Sequence, residues 1–263
     1  MFKRMVKYNM KKTALLFVTH LYNDDIRKQV EKLRDEMKDE ADVFVVYQSE
    51  KLTIPQINGV NLFPFTIDEL NELEYRAWGC TIMDGNFHFV ILDFFKHFPI
   101  YDNYWLIEYD VRFNGNWNTF FSFFNDKDDD FIAAHVEKVE DNPNWMRWHE
   151  IEVIGKTLTN NDKLKSFNPI YRISNKALCV VEERCRKGDR GHNEILLPTI
   201  MHLNNLKIAD FGGSGRYIYK DKPNLFYVYD ETDCNDDKCT FRYRPNYTMD
   251  EMKFADMLYH PVK

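Results

Sequence analysis

An unbroken apolar run, Thr13 to Thr19 (TALLFVT), is followed by a second at Asp42 to Gln48 (DVFVVYQ). Without polar alternation, such runs suit strands covered on both faces, as in a parallel sheet. Between them Ile26, Val30, Leu33 and Met37 recur at helical spacing, with Asn23 or Asp24 placed to cap the first turn. A short third strand is predicted at Val60 to Phe63, and Thr66 with Glu69 forms a capping box for a helix through Leu70, Leu73 and Ala77. After Gly85 and Asn86, the positions Phe87, Val90, Ile91, Phe94, Phe95 and Phe98 fall on one helical face, and Pro99 ends the pattern. A strand from Tyr104 to Asp110 (YWLIEYD) comes next. It is followed by a short helix on Trp117, Phe120, Phe121 and Phe124 and by a strand, FIAAH, ending at His135.

Strand and helix thus alternate as far as His135. That order predicts an α/β fold with a mostly parallel central sheet flanked by helices and with ligands at the carboxyl ends of its strands. Further on, a Trp-rich loop from Asn142 to His149 precedes a strand around Phe167 to Ser174 and helices from Asn175 to Lys187 and from Asn193 to Asn204. The cluster Gly212 to Gly215 leads to short aromatic strands. A second capping box, Thr248 with Glu251, predicts a terminal helix ahead of Tyr259, His260 and Pro261. No repeat or linker divides the chain, so residues 13–263 are read as a single domain. Ahead of it, residues 1–12 form a basic arm carrying Lys3, Arg4, Lys7, Lys11 and Lys12.

Composition excludes some partners. With 44% hydrophobic and 16% aromatic residues, 263 positions supply a full core and argue against disorder. A formal net charge of −7 lacks the dense basic face that nucleic acid requires, so no nucleic-acid partner is expected. The basic arm has two readings, a solvated terminus or a peripheral contact with anionic lipid. Five cysteines, an odd number, suit reduced thiols, and no apolar run reaches the length of a membrane span. The expectation is a cytoplasmic protein, with the inner face of the membrane as its one lipid contact.

Glu108 interrupts a run, Tyr104 to Ile107, that could otherwise be wholly buried, and a buried carboxylate is costly unless a cation answers it. On an extended strand Glu108 and Asp110 share a face, about 7 Å apart, while Tyr109 points away. Carboxylates so placed reach one hard divalent ion, Mn2+ or Mg2+, and such an ion suits a diphosphate leaving group. The same residues permit a structural arrangement in which Glu108 pairs with Arg112 or another base and Asp110 caps the turn into Asn114 and Gly115.

The segment WLIEYDVRF resembles the strand on which GT-A nucleotide-sugar glycosyltransferases carry an acidic metal-binding motif, here Glu108-x-Asp110. FNPIYRISNKAL followed by GHNEILLPTI is similar to the acceptor-side segment of several GT-A families, notably branching N-acetylglucosaminyltransferases and peptide xylosyltransferases. In those families an acidic residue opening a helix is the catalytic base, which implies that role for Glu194. Tyr259-His260-Pro261 resembles the late histidine that many metal-dependent members return to the metal, which implies His260 as a third ligand. The relatives similar around Glu194 work without a metal, so the two halves of the resemblance imply different answers on metal use. The overall resemblance, to uncharacterised bacterial and fungal glycosyltransferase-like proteins, implies a GT-A-like fold and a reaction class without a substrate.

Glu194 also admits a capping role, in a first turn where the helix dipole favours its ionised form. Trp145, Trp148 and His149 offer an acceptor sugar a stacking surface, or simply pack. Thr19, His20, Tyr47 and Gln48 lie at the ends of the first two strands, where such a sheet receives a nucleoside, and Asn86 opens a helix whose amides could face a phosphate. Arg216 follows the glycine cluster, which either wraps a phosphate or turns. Asp233, Asn235 and Asp237 are spaced like a calcium loop, but Lys238 and Arg244 stand where that loop needs Gly and Glu. The expected function is glycosyl transfer, metal-assisted and inverting, from a nucleoside-diphosphate sugar to a saccharide or glycolipid acceptor, as in polysaccharide biosynthesis. A non-catalytic carbohydrate-binding or degenerate transferase-like protein and a metal-dependent phosphohydrolase are the alternatives.

Overall fold

The computed structural model describes residues 12–50, 59–79, 85–220, 222–229 and 239–263. The basic arm before Lys12 and the segment carrying Asp233, Asn235 and Asp237 lie outside the described residues.

The first two strands have the expected bounds: β1 is Thr13–Thr19 and β2 is Asp42–Gln48. Between them α1, Asp24–Met37, starts at Asn23, whose Oδ1 accepts from the Ile26 N–H at 3.0 Å. Its buried residues are Ile26, Val30, Leu33 and Met37, the four positions spaced for one face. β3 is Asn61–Phe65 and α2 is Ile67–Asn71, opened by the Thr66–Glu69 capping box. The helix expected through Ala77 is thus only five residues long. It stops because Glu74 takes a left-handed φ of 60°, which lets the chain leave the helix and sink Tyr75 into the core. Next come α3, His88–His97, β4, Asn103–Glu108, β5, Arg112–Phe113, and α4, Trp117–Ser122. β6 is Phe131–Lys138, β7 Ile151–Glu152, β8 Leu164–Ser174, α5 Asn175–Arg186 and β9 Arg190–Gly191. α6, Asn193–Leu203, β10, Ile208–Asp210, and β11, Leu258–Tyr259, complete the order.

Seven strands form one sheet in the order β10-β6-β8-β4-β1-β2-β3. β8 runs antiparallel to both β4 and β6, and every other pair in this sheet is parallel. The carboxyl ends of β1, β2, β4, β6 and β10 therefore share one edge, and the amino-terminal half of β8 reaches the same edge. Alternation along the strands feeds two apolar layers. Ala14, Leu16, Val18, Tyr104 and Leu106 meet α3, α5 and α6 on one face. Leu15, Phe17, Trp105 and Ile107 meet α1, α4 and the aromatic residues Phe211, Phe226 and Phe241 on the other. Each large side chain buried this way contributes about 1.5–3 kcal/mol, and α3, buried on nearly all sides, is held by packing rather than by a side-chain cap.

Two later expectations are corrected. The Thr248–Glu251 box closes only a single 3₁₀ turn, Met249–Glu251, because the chain must turn at once to pair β11 with β5. The aromatic strands expected after Gly215 are, among the described residues, isolated bridges such as Phe241 to His260 and Tyr247 to Val262. Among the described residues no helix is long and apolar enough to cross a membrane.

Candidate active site

β1 and β4 lie side by side with Val18 opposite Glu108, so Thr19 and Glu108 end at the same edge. Glu108 continues the face of Tyr104 and Leu106, toward α6. The strand stops there, because the Val111 N–H bonds back to Glu108 O at 3.0 Å. Asp110 thus stands in a turn, and the expected sharing of a strand face is corrected: the turn, not the pleat, brings the second carboxylate round. The end of the chain closes over this turn. β11 pairs antiparallel with β5, Leu258 opposite Phe113, and the Val262 N–H donates to Asp110 O at 2.9 Å. This docking delivers His260, and one ligand atom each from Glu108, Asp110 and His260 lie within 4.8 Å of one another.

The donor set fits a divalent cation. His260 Nδ1 lies 2.8 Å from Arg242 O, and a carbonyl only accepts, so Nδ1 carries the proton. Nε2 then faces Asp110 Oδ1 at 3.5 Å. A ligating imidazole is held this way, its second nitrogen fixed by a backbone carbonyl. Asp110 Oδ1 is buried with no hydrogen-bond partner, the Nε2 contact being too long for a good one. In the neutral imidazole a lone pair would face a carboxylate oxygen, an arrangement that a cation between them turns from repulsive to attractive. Two carboxylate oxygens and one imidazole nitrogen suit Mn2+ or Mg2+.

The electrostatics agree. Part of the Glu108 side chain meets solvent, yet burial of its carboxyl pushes the pKa up to about 8, with Asp110 and Glu194 adding like-charge repulsion. Asp110 moves the other way. Burial alone would raise it, but His260 in its charged form, with Lys263 beyond, holds it below its ordinary value. The pairing of Glu108 with Arg112 is not formed. Arg112 is buried under the turn and donates to Asp25 Oδ2 at 2.7 Å, Tyr109 O at 2.6 Å and Val111 O at 3.1 Å.

Glu194 lies in the first turn of α6. His192 caps that helix, its Nδ1 accepting from the Glu194 N–H at 3.3 Å. Gly85 backs the cap: Asn193 N–H donates to Gly85 O at 2.6 Å, and a Cβ on Gly85 would fall 2.3 Å from the His192 ring. Asn168 fixes the turn from β8. Its amide reaches Asn193 O and Oδ1 at 3.3 and 3.1 Å, Ser166 donates to its Oδ1 at 2.7 Å, and its backbone N–H bonds the Glu194 carboxylate. Burial pushes Glu194 up to about 7, against the pull of Lys165 and Arg147. A cavity of about 300 Å³ opens over Glu194, lined also by Trp145, Lys165, Ser166, Tyr229, Arg242 and Arg244. Phe167 joins this cavity to the metal-ligand group, its ring 5.2 Å from that of His260.

The other predicted residues divide. His20 stacks edge-on against Tyr109 at 5.0 Å, and Thr19 Oγ1 turns the chain there by donating to Leu21 O at 2.7 Å, so both border the acidic turn. Tyr47 lies opposite Thr19 but is buried in the α1 layer, while Gln48 at the strand's end is half-buried. Asn86 is wholly buried and spans Trp78, accepting from its N–H at 2.8 Å and donating to its O at 2.6 Å. Trp145 faces the Glu194 cavity with Lys165 Nζ 5.6 Å from its ring. Trp148 is buried behind it, donating to Asn142 O at 2.7 Å, and His149 is exposed. Arg216 is committed to Glu140, at 2.7 Å, and to Asp141. Sequence reasoning passed over Lys165, Ser166, Arg242 and Arg244. The alternating basic and aromatic residues of Phe241 to Arg244 were the available signal.

The chain is a mixed α/β protein built on a seven-stranded, mostly parallel sheet, with an acidic turn at the carboxyl end of its fourth strand. No protein-family model matches it, and no curated protein matches it in sequence. Similar solved structures include the galactosyltransferase LgtC in complex with donor and acceptor sugar analogues, at 10% identity and a TM-score of 0.44, covering 77% of this chain and 75% of that one. The inositol-1-phosphate CTP transferase from T. maritima is 12% identical with a TM-score of 0.42, covering 77% and 86%. The 4-diphosphocytidyl-2C-methyl-D-erythritol synthase from Anaerococcus prevotii is 9% identical with a TM-score of 0.44, covering 79% and 91%. These are likenesses of outline alone.

Proposed function

We propose that the protein is a glycosyltransferase that moves a sugar from a nucleoside-diphosphate donor to a saccharide or glycolipid acceptor. The observation that carries this reading is the convergence of Glu108, Asp110 and His260 beside a carboxylate, Glu194, whose titration range suits a base. Glu108, Asp110 and His260 would hold Mn2+ or Mg2+. When bound, such an ion supplies Lewis-acid stabilisation to the diphosphate of the donor. Thr19 and His20 border the donor's nucleoside, and Arg242 and Arg244 add positive charge where the diphosphate leaves. Glu194 takes the proton of the acceptor hydroxyl as that oxygen attacks the anomeric carbon. The bond from that carbon to the diphosphate oxygen breaks on the opposite side, its electron pair leaves with the diphosphate, and the anomeric configuration inverts. Asn168 and His192 hold Glu194 for this step.

The test is a thermal shift of the full chain against a panel of nucleoside diphosphates, with and without manganese. A ligand held at about a hundred times its Kd adds about 2.7 kcal/mol to the folded state, so a manganese-dependent rise in Tm is expected. A rise with free sugars alone supports a binding module instead. Release of inorganic phosphate from nucleotide-sugar donors supports a phosphohydrolase.

A further inference from the structure

A second, larger cavity of about 800 Å³ adjoins the one over Glu194, and the two share His135 and Tyr229. It lies within the range of about 300–1,000 Å³ typical of ligand sites. Its walls come from the bulge of β6, where His135 takes a φ of 48°, from Asp210 at the end of β10, and from the loops of Gly213 to Arg216 and Asn224 to Tyr229.

The two cavities differ in charge. The one over Glu194 is lined by Arg242 and Arg244. In the larger one the single cation among the described residues of the wall, Arg216, is matched by Glu140 and Asp141. Lys165, at its border, is matched by Glu137 at 2.7 Å. His135 is held neutral by burial and accepts no charge from its neighbours, its Nε2 lying 2.9 Å from Phe241 O. The carboxylates of its wall are Glu137 and Asp141, which make those matches, and Asp210, whose pKa burial pushes up to about 7. An anion entering here meets no uncompensated positive charge among the described residues. The half-buried Tyr229 ring, the exposed Asn224 amide and the carboxylate oxygens offer what sugar hydroxyls and apolar sugar faces require.

We propose that the larger cavity takes the acceptor and that the acceptor is an uncharged oligosaccharide: its attacking hydroxyl reaches Glu194 while its further sugar units lie against Tyr229 and Asn224. This rests on the transferase reading above. It assigns the anionic part of the reaction to the cation-lined cavity and the neutral part to the charge-balanced one.

The experiment probes the purified chain on an array of neutral oligosaccharides and their phosphorylated and uronate counterparts, in wild type and in Gly215→Trp. Gly215 lines the cavity and a Cβ there would meet only Val136 O, at 3.8 Å, so a large side chain can start from this wall without a clash. Wild type is expected to bind neutral members at least tenfold more tightly than anionic ones. Gly215→Trp loses that binding tenfold or more, while the manganese-dependent nucleotide shift stays, which also reports that the variant folds. Ser214→Trp, on the same exposed loop, repeats the block. A nucleotide shift combined with preference for anionic glycans, with no glycan bound, or with undiminished binding in both variants overturns this inference alone. Neutral-glycan binding without any nucleotide shift overturns the transferase reading and the acceptor assignment with it.

Discussion

Glu194→Gln tests whether the buried base is where the geometry puts it, and it does so without knowledge of the substrate. Burial raises the Glu194 pKa from 4.5 to about 7. A group raised on folding contributes stability that is complete below its unfolded pKa and is lost as pH rises through the folded one. The rise amounts to about 3 kcal/mol in full, at about 1.4 kcal/mol for each pH unit. Glutamine does not titrate, and its Oε1 still accepts the Asn168 N–H that the carboxylate accepts. Urea unfolding of both proteins at pH 5 and pH 8.5 reads the difference, since the other titrating groups are common to them, with Glu108 alone losing the repulsion of Glu194 in the variant. The variant should gain about 2–3 kcal/mol on the wild type between those values and be the more stable protein at the alkaline end. The same substitution should lower transfer by about 10²–10⁴-fold, and wild-type turnover at pH 6 should be about a tenth of its plateau. A stability gap that does not change with pH, or that widens in favour of the wild type, refutes the burial of this carboxylate.

Asp110→Asn and His260→Ala should each abolish the manganese-dependent part of the nucleotide thermal shift while leaving unfolding cooperative; a shift that survives in both places the metal elsewhere. Gly212→Ala would set a Cβ 2.3 Å from the Tyr227 ring, a clash expected to cost about 1–3 kcal/mol in urea unfolding. Tyr227→Phe removes the hydroxyl that donates to Asp210, at 2.9 Å, and accepts from the His135 N–H, at 3.0 Å. A loss of about 1–3 kcal/mol is expected, and a change near zero would mean that water replaces the phenol.

The parts of the fold governed by local pattern were legible in the sequence. α1 shows its four core positions and its cap directly, and the apolar runs of β1 and β2 leave no alternative to burial on both faces. The starts of helices were better marked than their ends. Thr66 and Thr248 both form the capping boxes their spacing announces, yet one helix ends after five residues and the other never passes a single 3₁₀ turn. In both cases the end is set by where the next segment must pack, which no local propensity records. The acidic turn was legible because Glu108 breaks an apolar run, although the geometry that joins it to Asp110 was not. Lys165 was hidden because β8 extends three residues earlier than its apolar run. Arg242 and Arg244 reach the cavity only through long-range closure of the chain.

That closure explains why the acidic turn forms at all. Glu108 is opposed by burial and by two neighbouring carboxylates, so nothing local favours bringing Asp110 beside it. What holds the turn is contributed from elsewhere: Arg112 bonds its carbonyls from below, and residues 258–263 bind it from above through β11, Val262 and His260. Leu258, Tyr259 and Val262 are almost fully buried, so the free energy that seats this segment is apolar and does not depend on the charges it assembles. The ligand group can therefore remain electrostatically unfavourable by itself and still be ordered. A cation then meets carboxylates already converged, and little of its binding energy is spent on arranging them.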